Sequence, residues 1–106
     1  AAPTAVMCAY DILAIEFLRA ILQRGVRVPE DVSVVGFDGV PEGALYWPGL
    51  TTAKQPSQAL GNAACRVLMQ MIENPEAEST ERADFPAELI LRESSGTAKA
   101  AAKKTR

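Results

Sequence analysis

Histidine is absent from the 106 residues, so neither a Ser-His nor a Cys-His nucleophilic couple can be assembled within this chain. Cysteine is scarce. Cys8 lies in an apolar, strand-like run and Cys65 in a helix-like one, without the CxxC spacing or the histidines of a zinc site. Long hydrophobic runs are missing too: the uncharged stretch Ala1 to Tyr10 is about half the roughly 20 residues of a membrane helix, and no basic n-region precedes an apolar one. Gly36-Phe37-Asp38-Gly39 lacks the GxGxxG spacing and adjoining long helix of a dinucleotide site. Membrane, secretory, zinc and Rossmann-cofactor readings are therefore unsupported. What is there, 48% hydrophobic and 23% charged residues, fits one soluble globular unit.

The net charge of −2 conceals a split, because Lys99, Lys103, Lys104 and Arg106 all fall in the last ten residues. Without that tail, seven basic residues face thirteen acidic ones. An acidic body offers no broad basic footprint for phosphates, which argues against duplex DNA binding by this segment itself. The tail, 97–106, is mostly alanine and lysine and reads as a frayed, disordered terminus rather than a nucleic-acid arm.

Along the chain, Thr4 to Ala9 is a nearly continuous apolar run, the pattern of a strand covered on both faces in a parallel sheet. Asp11 stands as an N-cap before a helix that reaches Arg24, with Ile15, Leu18 and Leu22 on one side and Gly25 to close it. Val28-Pro29-Glu30-Asp31 is turn chemistry, and Val32 to Phe37 is a second buried-strand pattern. A strand, helix, strand order of this length makes a right-handed crossover with parallel strands, an α/β architecture. Both strands then end at one edge of the sheet, which puts Tyr10 and Asp11 at the same rim as Asp38, where ligands of open α/β sheets bind. Gly39 to Gly49 reads as an irregular loop or short helix with exposed aromatics, and Leu50 to Gln55 as a brief extended segment. From Pro56 a helix carries the apolar stripe Leu60, Ala64, Val67, Leu68 and Met71 to a stop at Asn74-Pro75. Glu76 to Arg82 is a solvated loop, and Phe85 to Arg92 a last strand with Pro86 near its start.

Asp11 and Asp38 could form an acid/base pair, since two carboxylates at one rim can split their pKa values. Asp11 already has a structural explanation as a cap, so catalysis is the weaker reading. For Asp38 two readings stand level: bonding the backbone of its own turn, or accepting hydrogen bonds from a polar ligand such as adjacent sugar hydroxyls or the N–H edge of a base.

The ordered series Ala9-Tyr10-Asp11, Gly25, Val28 to Asp38 (VPEDVSVVGFD), Leu50-Thr51-Thr52, Gln55-Pro56 and Leu89 to Ser94 resembles the C-terminal part of a lactose-repressor (LacI/GalR) family regulator, over Pro3 to about Ser95. The resemblance implies a cytoplasmic bacterial transcriptional regulator, allosteric and not an enzyme, whose two-lobed effector domain is periplasmic-binding-protein-like. It implies a homodimer that reaches operator DNA through an N-terminal helix-turn-helix absent from this chain, with no cofactor, no metal and no membrane. By position, Asp38 of the GFD motif and Gln55 would contact the effector. Tyr10 stands where the family usually has asparagine, so it would offer a hydroxyl or an apolar ring face instead, and the effector or its pose would differ from a typical hexose. Ile15 and Tyr46 match positions that meet the second subunit. Gly39 replaces the commoner acid or amide and loosens the turn. The resulting FDG resembles that of ribose-binding transport proteins, which leaves a periplasmic-type sugar-binding transport protein as the alternative.

The family pattern also implies an interrupted lobe: 1–53 in the C-terminal lobe, 54–86 as a crossover and a helix packing on the N-terminal lobe, 87–96 as the return strand. The stripe from Leu60 to Met71 would then have little to bury against in this chain alone, and the sequence is expected to be a fragment.

Overall fold

A computed structural model of the chain describes residues 2–76 and 83–98. In chain order the elements are β1 (Ala5–Met7), α1 (Asp11–Leu22), β2 (Ser33–Asp38), a 3-10 turn (Pro41–Ala44), β3 (Thr51–Lys54), α2 (Ser57–Glu73) and β4 (Glu88–Ile90). The solvated loop expected over 76–82 falls outside the described residues from position 77, and the basic tail does so from position 99.

The β-branched run of β2 lies inside a four-stranded sheet ordered β1-β2-β3-β4. β1 pairs with β2 in parallel (Ala5 opposite Ser33), β2 with β3 in parallel (Asp38 opposite Lys54), and β4 returns antiparallel to β3 (Thr52 opposite Ile90). The parallel strands and the α1 crossover are those the sequence predicts. Ala14, Ile15 and Leu18 of α1 are buried with Cys8, Val28, Val32, Val34 and Leu50 in one apolar core. Burial pushes the Cys8 thiol pKa up, which disfavours its reactive thiolate. Gly25 closes α1 as expected: at φ +76 it donates to Leu22 O, while Val26 donates to Ile21 O.

Two expectations need correction. β1 is not covered on both faces: it is an edge strand of this sheet, Val6 alone of its three residues packs on the core, and Met7 is 71% exposed. Nor does the Asp11 side chain cap α1; Tyr10 occupies the N-cap position, and α1 has no side-chain cap bond.

The Leu50-Thr51-Thr52 and Arg92-Glu93-Ser94 motifs meet each other. Ser94, fully buried, accepts from Thr51 N (2.8 Å) and donates to Val34 O (2.6 Å), so one hydroxyl satisfies backbone groups of β2 and β3 at once. Arg92 adds two bonds, N–H to Thr51 Oγ1 (2.9 Å) and Nη1 to Leu50 O (2.8 Å). These bonds take over from the strand ladder after Ile90, so β4 ends before Arg92; at its other end it begins at Glu88 rather than Phe85.

Length and composition suggest one unit, yet the chain divides into two: Ala1–Lys54 with Glu88–Arg106, and Gln55–Ala87. The backbone leaves the sheet after Lys54 and re-enters it at Glu88. In the second unit, α2 buries none of its residues. Leu60, Val67, Leu68 and Met71 line an open trough of about 450 Å³ with Ala83 and Phe85 of the returning segment.

Candidate functional site

Parallel pairing of β1, β2 and β3 brings their C-terminal ends to one edge, and Asp38 is the last residue of β2. It is half-buried, and its φ of +119 is a backbone conformation that L-residues rarely adopt, at a cost on the order of 1–3 kcal/mol. Gly39 follows at φ +79. Glycine there is more than permissive, because a Cβ would come within 2.5 Å of Lys54 Cβ and 2.7 Å of Lys54 Cα.

Sequence reasoning missed what holds this turn. Asp11, with 0% exposure, turns away from its own helix: Oδ2 accepts from the backbone N–H groups of Gly39 and Val40 (both 2.8 Å), and Oδ1 accepts from the buried Thr52 hydroxyl (2.6 Å). A buried carboxylate is tolerable only with such partners. Gly36 supplies the space, since a Cβ there would collide with Asp11 Oδ1 and lie 3.0 Å from Leu50 Cδ2. The available signal was the coincidence of an acidic first helical residue, two glycines flanking Phe37-Asp38, and a threonine in the adjacent strand. With Asp11 committed to these three bonds, an Asp11/Asp38 acid/base pair loses its first member as a free group.

Tyr10, three residues after β1, is the extended N-cap residue of α1 at φ −156 and is 50% exposed. Gln55 directly follows β3, is half-buried, and opens the second unit. Ile15 and Tyr46 come together: with Leu18, Leu22 and Trp47 they line an apolar concavity of about 220 Å³ away from the Asp38 turn. Ile15 forms its buried floor (6% exposed), while Tyr46 and Trp47 stand at 51% and 80% exposure. Among the described residues no group of three His, Cys, Asp or Glu could hold a metal ion, and no helix is long and apolar enough to cross a membrane.

A family model described as a periplasmic binding protein-like domain matches residues 1–95. The chain belongs to that family. Within it, this periplasmic-binding-protein-like chain is of the LacI/GalR type. The HTH-type transcriptional regulator MalR of Streptomyces coelicolor is 45% identical over 95 residues, 90% of this chain and 27% of that protein. The HTH-type transcriptional repressor PurR of Haemophilus influenzae is 36% identical over 94 residues, 87% of this chain and 28% of that protein. A LacI family transcriptional regulator from Enterococcus faecium, solved with bound ribose, superposes with a TM-score of 0.78 at 32% identity, covering 93% of this chain and 37% of that one. The chain thus spans about a quarter of the length of the curated relatives it matches, 27% and 28%. These relatives are regulators, not enzymes, and lend no support to the transport-type alternative.

Proposed function

We propose that this chain is the effector-binding and dimerisation segment of a cytoplasmic LacI-type transcriptional regulator, and that Asp38 accepts hydrogen bonds from a small polar effector, a sugar or nucleobase-like compound. The observation that carries the reading is the placement of Asp38: a half-buried acceptor at the C-terminal end of a parallel strand, held at φ +119. Backbone strain of this kind persists where the surrounding structure over-determines it, and it concentrates at ligand-binding turns. The family's regulators, among them a relative with bound ribose, support the ligand class. Tyr10 is a further effector contact in this reading, through its hydroxyl or ring face, and so is Gln55, the residue directly after β3.

The first unit belongs to the C-terminal lobe, and the apolar face of α2 is covered by the N-terminal lobe. Exposure of Leu68 at 57% and Met71 at 52% fits a surface meant for such cover. Effector binding between the lobes selects one hinge angle, and a homodimer passes it to N-terminal helix-turn-helix heads on operator DNA. The effector shifts operator affinity only by its differential binding to the two arrangements, typically about 1–3 kcal/mol.

A thermal-shift screen of the intact protein with ribose, glucose, lactose, cellobiose, adenosine and adenine tests the ligand class. A ligand at a hundred times its Kd adds about 2.7 kcal/mol of stability, and a flat response to all six would refute this range of effectors. Dimerisation is carried in this reading by the concavity of Ile15 and Tyr46. Tyr46→Asp in the intact protein should weaken self-association at least tenfold by sedimentation velocity, because an aromatic anchor is replaced by a charge with no partner at the interface centre. An unchanged dimer would place the interface elsewhere.

A further inference from the structure

We propose that Asp11 is a positioning residue for effector recognition: through the backbone N–H groups of Gly39 and Val40, its carboxylate fixes the orientation in which Asp38 meets the effector. The inference rests on the reading of Asp38 as an effector contact and adds to it a residue that touches no ligand.

Several observations converge on this role. A carboxylate at the first position of a helix ordinarily serves that helix, yet Asp11 makes no cap bond to α1 and is fully buried. Its Oδ2 grips the two residues that immediately follow Asp38, each at 2.8 Å. Its Oδ1 is itself oriented by Thr52, from the middle of β3. Two further features shape the arrangement: Gly36 leaves room for the carboxylate, and Gly39 lets the chain pass Lys54. Asp38, at φ +119, therefore sits between β2 and a turn clamped from a different element. Release of the clamp would let it relax toward ordinary strand geometry, turning its carboxylate away from the rim.

A clamp that only stabilises the fold and a clamp that aims Asp38 differ in what they couple to. In the intact protein, Asp11→Ala removes the clamp. Asp11→Asn keeps the two bonds that hold the turn, because the amide oxygen can take both N–H groups, and reverses the third, its NH2 donating to a Thr52 hydroxyl that now accepts. Thr52→Val removes only the bond that orients the carboxylate. With selectively labelled aspartate, the ligand-free NMR signals of Asp38 report its backbone angle. We expect them to move to ordinary strand values in Asp11→Ala, to stay in place in Asp11→Asn, and to move part of the way in Thr52→Val. Should Asp11→Ala fail to fold, Thr52→Val decides the question alone. Asp38 signals unchanged by these two substitutions, or disturbed equally by Asp11→Asn and Asp11→Ala, would overturn the proposal.

Calorimetric titration with whichever of the six compounds binds provides a second arm. Asp11→Ala should weaken binding at least tenfold in the wild-type background and less than twofold in an Asp38→Ala background. Independent, multiplying effects would contradict positioning. If Asp38→Ala alone leaves binding unchanged, the reading of Asp38 fails, while the NMR arm still decides whether Asp11 orients it.

Discussion

Gly36→Ala is expected to lower the stability of the intact protein by about 4 kcal/mol, read as a shift of the urea midpoint without a change in slope. The added Cβ would occupy the position of Asp11 Oδ1 and press on Leu50. Overpacking a core in this way costs about 1–3 kcal/mol. Displacing the carboxylate would also strain or break its bonds to Gly39, Val40 and Thr52, and each buried polar group left unpaired costs about 1–3 kcal/mol more. Neither escape is cheap, because Leu50 and Thr52 are fully buried. A midpoint within experimental error of wild type would mean that Asp11 does not occupy the space beside Gly36.

Ser94→Ala is expected to cost about 2–4 kcal/mol, since the methyl group leaves Thr51 N–H and Val34 C=O without their side-chain partner in a fully buried site. The two groups belong to adjacent strands, so the loss loosens the β2–β3 pair on which Asp38 and Thr52 stand. At temperatures where the variant remains folded, effector affinity should stay within about twofold of wild type, because Ser94 makes its bonds near the start of the strands rather than at the C-terminal edge where Asp38 stands. Denaturation by urea alongside calorimetric titration separates the two quantities. A variant as stable as wild type would show that water or a neighbouring group replaces the hydroxyl.

Much of the fold is legible in the residues because its signals are local. The β-branched run into β2, the stripe of α1 ended by Gly25, and the apolar face of α2 before Asn74-Pro75 each place an element within a few residues of its observed bounds. Asp38 is legible as a rim residue because strand direction follows from the crossover. The clamp is not. An aspartate that caps its own helix and one that reaches across to Gly39 leave the same local trace, and the difference depends on the space at Gly36 and the hydroxyl of Thr52, 41 residues away. Ser94 is hidden for the same reason, its partner Val34 lying 60 residues back. The exposure of Met7 could not be read either, since an apolar run reports composition and not what is packed beside it. Gly39 reads as freedom in the sequence and as a steric need in the fold, once Lys54 is placed beside it.

The central claim is that Asp38 receives the effector. Calorimetric titration of the intact protein and its Asp38→Ala variant, using the compound with the largest thermal shift among the six, tests it most directly. The account predicts at least a tenfold loss of affinity, with the ligand-free melting temperature held within a few degrees. Wild-type affinity in a folded Asp38→Ala protein would contradict it.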